Sequence, residues 1–132
     1  METKKLKDLD FTKDLNMMFL LCVVAEYFKI DADKLHYGGG GDDVLFARKW
    51  FCYFAAVYYK CVPWEIAVLL YVRTEAAENM IFEIDAMLDC YSPEFMETER
   101  KLRAAILAAE NAIDAKIKTE TGFSKHLDLE QL

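Results

Sequence analysis

Apolar residues recur every three to four positions along most of this chain, which is the spacing of an amphipathic helix. The β-branched and aromatic residues follow the same spacing rather than alternating, so no segment competes seriously as a strand. Asp31 can cap a single short turn through Leu35. Before it, a helix is predicted from an N-cap at Thr12 to about Lys29, with the helically spaced residues Leu15, Phe19, Cys22 and Val23.

A run of four glycines, Gly38 to Gly41, then interrupts the helical pattern and is typical of a flexible connector. Asp42 or Asp43 can cap a second long helix, from Val44 to about Lys60. Its seven aromatic residues make this helix apolar nearly all round, which is typical of a helix at the centre of a core.

Two further helices form a candidate helix-turn-helix. Pro63 suits the first position of a short helix through about Tyr71, and Thr74 can cap the next helix, which ends near Cys90. The two helices meet across Val72 and Arg73.

Ser92 and Pro93 begin a final helix of roughly 27 residues, which Gly122 is placed to end. The sequence leaves open whether the apolar face of this helix packs on the core or pairs with a second copy in a homodimer. That face carries Leu102, Ile106, Ala109, Ile113 and Ile117.

The predicted fold class is all-α, with five to six helices. A chain of 132 residues, 55% of them apolar, favours one domain and can bury a core without disulfides or metal. We expect residues 1–91 to form a helical domain with the helix-turn-helix at about 44–90. Residues 92–132 are expected to add a C-terminal helix and tail that pack on the same domain.

The net charge of -7 opposes nonspecific binding to polyanions such as nucleic acid or an anionic membrane. His36 and His126 are the only histidines, which leaves little for a metal centre or a catalytic triad. We therefore expect no enzyme, no catalytic residue, no metal site and no cofactor. None of the cysteines forms a CxxC pair, and each is expected to be a small buried side chain in a reducing cytosol: Cys22, Cys52, Cys61 and Cys90.

The beginning of the chain does not have the pattern of a signal peptide, because no hydrophobic segment closely follows a basic one. The longest fully apolar run, Met17 to Ala25, has 9 residues, whereas a membrane span needs about 20. A cytoplasmic protein without membrane contact is therefore expected.

Several short stretches resemble the C-terminal DNA-binding domain of the replication initiator DnaA, a divergent helix-turn-helix of the Trp-repressor-like type. VAEYFKI at 24–30, followed by Asp33 or Lys34 and Leu35, is similar to that family's "VAEYYKI…DL". The blocks align without a gap from about Val24 to Arg73, and the helix order matches to about Leu107, so roughly two thirds of the chain is covered. The other matches are Ala47-Arg48-Lys49 with "(A/P)RQ", Tyr53 and Ala55 with "YLA", Glu65-Ile66-Ala67 with "EIG", and Arg73 with the arginine of "GGRDHTTV".

The resemblance implies a recognition helix for the major groove and a basic loop for the minor groove, and the sequence departs at both positions. The loop corresponds to residues 38–43, which hold no cation and two carboxylates. The segment from Arg73 to Asp89 contains one cation against five carboxylates. Base edges are read by donors such as arginine, asparagine and glutamine, and these are nearly absent here.

Two hypotheses follow. In the first, the DNA-reading surface has been remodelled into an acidic face for a basic or DNA-binding protein partner; the candidate contacts are Trp64, Glu75, Glu78 and Glu83. In the second, weak binding of double-stranded DNA is retained; the candidate contacts are Arg48, Lys49, Arg73 and Thr74.

Overall fold

A computed structural model describes the backbone of residues 11–121 and the side chains of residues 15–117. The described residues form six α-helices and no strand, as the predicted all-α class requires. The predicted end of the last helix at Gly122 lies outside the described residues. The helices are α1 (Phe11–Phe28), α2 (Ala32–Tyr37), α3 (Asp42–Val57), α4 (Pro63–Leu70), α5 (Thr74–Asp89) and α6 (Pro93–Thr121).

The helix starts agree with the predicted capping at one position and differ at others. The carboxylate of Asp31 accepts a hydrogen bond from the backbone N–H of Asp33 at 3.0 Å, so the predicted cap of α2 is confirmed. Gly41 occupies the N-cap of α3, and the two predicted aspartate caps lie in the first helical turn instead. Thr74 is likewise the first residue of α5 rather than its cap, and Thr12 lies inside α1.

Four helices are followed, within three residues of their ends, by a left-handed residue that is not glycine. Lys29, Lys60, Tyr71 and Tyr91 have φ values of 57–60°. Beyond each of them the chain turns back to bond the last helical turn, as where the N–H of Val72 donates to the carbonyl of Ala67 at 3.1 Å. The chain therefore changes direction sharply at these points, which brings the helices together.

Helix α3 lies at the centre of the core. Trp50, Phe51 and Phe54 are fully buried, which confirms the predicted core helix, and α1, α2, α4 and α5 all contact it. Helix α1 buries a different face from the predicted one that includes Leu15. The side chain of Leu15 is 69% exposed. The buried face of α1 is formed by Met17, Leu20, Leu21, Val24 and Ala25.

The first half of α6 packs on this core. Leu102 and Ile106 are fully buried, whereas Ile113 and Ile117 remain exposed. Hydrogen bonds also join α6 to the end of α3. The carboxylate of Glu110 accepts one from the hydroxyl of Tyr58 and one from that of Tyr59. Burial and this hydrogen bonding raise the pKa of both hydroxyls, Tyr58 and Tyr59.

The prediction that all four cysteines are buried is wrong for two of them. Cys52 and Cys61 are buried, but Cys22 and Cys90 are exposed, and none of the four forms a disulfide. Burial raises the pKa of the Cys52 thiol to about 12. None of the helices in the described range has the length and apolar character needed to cross a membrane.

Replacing Leu102 by alanine should lower the free energy of unfolding by about 2–5 kcal/mol, because it leaves a cavity in the core. The matched change Ile113→Ala should cost less than about 1 kcal/mol, because Ile113 is 44% exposed. Urea unfolding followed by circular dichroism measures both. Equal losses for the two variants would contradict the described packing of α6.

Thiol titration with an aromatic disulfide reagent at pH 8 should modify two cysteines rapidly in the folded protein and the other two only in denaturant. Cys22 and Cys90 are the accessible pair, and burial keeps Cys52 protonated at this pH. A Cys22→Ser, Cys90→Ser variant should show no rapid phase. A rapid phase that survives in this variant would contradict the burial of Cys52 and Cys61.

Candidate interaction face on helices α4 and α5

Helices α4 and α5 are joined by three residues and pack on the core through one face each. Tyr71 is left-handed, with φ 59°, and lets α5 leave at an angle to α4. The inward faces carry Ile66, Ala67 and Leu70 on α4, and Ala77, Met80 and Ile84 on α5. The outward faces of this helix pair, with the turn between them, are therefore the surface on which the predicted contacts lie, apart from Arg48 and Lys49 on α3.

The outward face of α5 is an acidic stripe with one aromatic residue at its centre. Its members recur every three or four residues and are all exposed, with Phe82 at 68%. None of the carboxylates in the stripe forms an ion pair with a described residue. We define the acidic stripe as Glu75, Glu78, Phe82, Asp85 and Asp89.

Glu83 lies beside the stripe and pairs with a cation of α3. Its carboxylate is 2.7 Å from the ammonium of Lys49, whose side chain is 23% exposed. A predicted DNA contact and a predicted protein contact thus neutralise each other. A partly exposed pair of this kind contributes about 1 kcal/mol or less to stability.

Arg48 points inward, to the ends of two helices. Its guanidinium donates to the carbonyls of Leu35 at 3.0 Å and His36 at 3.2 Å in α2, and to that of Leu70 at 2.6 Å in α4. These carbonyls lack helical partners and lie at the negative ends of the helix dipoles, which favours a cation. Partial burial lowers the pKa of Arg48, although guanidinium remains protonated at neutral pH.

The glycine run allows this arrangement at one particular position. A Cβ atom at Gly38 would lie 2.9 Å from Nη1 of Arg48, too close for an ordinary contact. Gly38 also has φ 91°, which side chains rarely adopt, and its N–H donates to the carbonyl of Lys34 at 2.8 Å. Glycine here lets the backbone pass directly over the guanidinium.

Arg73 and Thr74, the other two predicted DNA contacts, are exposed where α5 begins. The structure therefore separates the four candidates into two pairs. Arg48 and Lys49 are bonded to the protein itself, whereas Arg73 and Thr74 face solvent beside Glu75.

Trp64 is 59% exposed and belongs to a surface that the sequence reasoning did not identify. Val68 follows it on α4, and Tyr71 comes directly after the helix. The ring of Tyr71 stacks on that of Tyr37 at a centroid distance of 5.4 Å. We define the aromatic face as Tyr37, Trp64, Val68 and Tyr71. The spacing of Trp64, Val68 and Tyr71 in the sequence is the signal that would have revealed most of it.

Among the described residues, no group of three or more acidic, cysteine or histidine side chains is arranged to hold a metal ion. The chain matches no family model, no curated protein and no solved structure in our comparisons. The resemblance to the DnaA domain therefore rests on the residues quoted above.

Replacing Arg48 by lysine should lower the free energy of unfolding by about 2 kcal/mol, because one ammonium cannot satisfy carbonyls on both α2 and α4. The neighbouring change Lys49→Ala serves as control and should cost about 1 kcal/mol or less. Chemical denaturation measures both variants. If Arg48→Lys proves no more destabilising than Lys49→Ala, the internal hydrogen bonds of Arg48 contribute little.

Proposed function

We propose that this chain is a non-enzymatic helix-turn-helix scaffold of the DnaA C-terminal type whose acidic stripe binds a basic protein partner. We expect the protein to act in the cytoplasm, in keeping with its four cysteines, which form no disulfide. A DNA-binding protein is a suitable partner, because its cationic surface is already adapted to a row of negative charges.

The observation that carries this proposal is that Arg48 and Lys49, the two best candidates for phosphate contact, are bonded within the protein. Arg48 bonds three backbone carbonyls, and Lys49 pairs with Glu83. Releasing either cation to a phosphate would leave carbonyl groups or a carboxylate without a partner. Binding DNA through Arg48 would therefore oppose the fold itself, whereas Lys49 would have to give up its ion pair with Glu83.

The charge of α5 supports the same conclusion. Glu75 and Glu78 lie near its N-terminus, where their carboxylates offset the positive end of the helix dipole that would otherwise attract phosphate. Each phosphate contact that is lost removes counterion release, and 6 to 10 such contacts change affinity by about three to five decades between low and moderate salt. Arg73 alone does not replace them.

Phe82 gives the stripe the composition of a protein-binding surface. It is 68% exposed and lies between Glu78 and Asp85 on the same side of the helix. Aromatic anchors surrounded by polar residues contribute much of the affinity in protein interfaces. The expected partner segment therefore combines lysine or arginine side chains with an apolar surface that covers this ring.

Double-stranded DNA binding is the second candidate, and the exposure of Arg73 and Thr74 at the start of α5 is the observation that favours it. Under this alternative, a duplex would contact that helix end and an oligomer would combine several weak contacts. The acidic stripe would then have to point away from the duplex.

To test the proposal, the immobilised protein is exposed to a random pool of duplex DNA at low salt and, separately, to host lysate. We expect no enriched duplex motif and salt-sensitive capture of a protein. Capture should be lost in Glu75→Lys, Glu78→Lys. It should persist in Glu94→Lys, Asp114→Lys, which makes the same change in net charge on α6.

Two results would overturn the proposal. One is an enriched duplex motif whose retention is lost in Arg73→Ala, which would establish the DNA-binding alternative. The other is a captured protein whose binding is equal in the stripe variant and in the α6 control.

A further inference from the structure

A cleft of about 420 Å³ lies between α1 and α6, and Tyr59, which follows α3, contributes to its lining. None of its lining residues belongs to the acidic stripe or to the aromatic face. Pockets that bind small molecules commonly have volumes of about 300–1,000 Å³. The cleft is therefore large enough to hold a small ligand.

Two carboxylates of α6 give the cleft a negative charge. Glu110 is half-buried, and Asp114 is exposed. Residues four positions apart lie about one turn from each other on the same side of a helix, so one cation can meet both carboxylates. Among the described residues, no lysine or arginine lines the cleft. The cleft therefore favours a cationic ligand and repels an anionic one.

Two tyrosines hold the carboxylate of Glu110 in place. The hydroxyl of Tyr59 donates to one carboxylate oxygen at 2.6 Å, and that of Tyr58 donates to the other at 2.9 Å. The raised pKa of Tyr59 keeps its hydroxyl protonated at neutral pH, and the lone pairs of its oxygen can accept a hydrogen bond from a ligand. The polar part of the cleft is thus ordered before a ligand binds, which lowers the entropic cost of binding.

Apolar side chains line the cleft beside these polar groups. Leu15 and Phe19 lie one turn apart on α1, and Ile113 lies on α6. Leu15 is 69% exposed and Ile113 is 44% exposed, so a ligand with an apolar body would remove apolar surface from water. An inorganic cation would leave this surface exposed, and a neutral apolar molecule would leave the carboxylates without a counter-charge. A ligand that combines a cationic group with an apolar body satisfies both parts of the lining.

We propose that this cleft binds a small organic cation, an ammonium group joined to an apolar body. The ammonium group lies near Glu110 and Asp114 and donates to the oxygen of Tyr59, and the apolar body lies against Phe19 and Ile113. This site does not depend on the acidic stripe and would remain if the stripe bound no protein. Because the outer residues of the cleft are exposed to water, we expect a dissociation constant in the high micromolar to millimolar range.

The first test is an NMR titration of the whole chain with 2-phenylethylamine, whose amine is protonated at neutral pH. The side-chain amide signals of Asn16 and Asn111, which line the cleft, should shift and saturate. Three matched probes separate the two parts of the ligand. 2-Phenylethanol lacks the charge, phenylacetate reverses it, and methylamine lacks the apolar body, so each should bind more weakly than 2-phenylethylamine.

A second test compares variants at exposed positions, where substitution leaves the fold intact. Asp114→Asn should weaken the binding of 2-phenylethylamine about fivefold, whereas Asp85→Asn makes the same change in charge on α5 and should leave it unchanged. Ile113→Ala should also weaken binding. Its matched control is Leu107→Ala, because Leu107 is 46% exposed on α6 but does not line the cleft.

Three results would overturn the inference. The absence of any saturable shift with 2-phenylethylamine would show that the cleft binds no such ligand. Equal binding of 2-phenylethanol or of methylamine would show that the charge or the apolar body takes no part. Equal effects of Asp114→Asn and Asp85→Asn, or shifts confined to α5, would show that the amine is attracted by the general negative charge of the protein and not by the cleft.

Discussion

The fold of this chain depends on one partly buried cationic contact, the guanidinium of Arg48 against the ends of α2 and α4. Both helices are short, at 6 and 8 residues, so neither has enough internal hydrogen bonds to be stable alone. Arg48 belongs to the central helix α3 and bonds carbonyls of both. It therefore fixes where the two short helices lie, and with them the positions of Tyr37 and Tyr71.

The same contact separates the surface chemistry of the molecule into regions. The two cations of α3 are bonded to other groups of the protein. Arg48 donates to backbone carbonyls, and Lys49 pairs with the carboxylate of Glu83. On the outside of α2, α4 and α5 lie the acidic stripe of α5 and the aromatic face of α2 and α4. A net charge of -7 alone would argue only against polyanions. Its distribution is the basis of the protein contact that we propose for the acidic stripe.

The sequence predicted the helices well, because the apolar repeat that marks a helix involves residues only three or four positions apart. The predicted C-terminal ends of α1, α4 and α5 lie within one residue of the observed ends, whereas the N-caps of α3 and α5 were missed. The left-handed conformations of Lys60, Tyr71 and Tyr91 were not foreseen, because sequence rules assign them to glycine or asparagine. The buried face of α1 was also missed. Residues 17–25 are all apolar, so no polar residue distinguished the exposed position of Cys22 from its buried neighbours.

The candidate site was predicted only in part, for a physical reason that Arg48 illustrates. Its acceptors lie 12, 13 and 22 residues away in the chain, and only the folded arrangement brings them to one guanidinium. A sequence motif shows that a cation is present but not whether its donors are free. The exposure of Trp64 and of the α5 carboxylates, in contrast, follows from helical spacing.

The most direct measurement of the central claim is the NMR signal of the Arg48 Nε–H group, recorded in the free protein and with duplex DNA at low salt. The account predicts a slowly exchanging proton, protected by the carbonyl of Leu35, and a chemical shift that DNA leaves unchanged. A proton that exchanges rapidly with water, or a signal that moves as DNA is added, would contradict it.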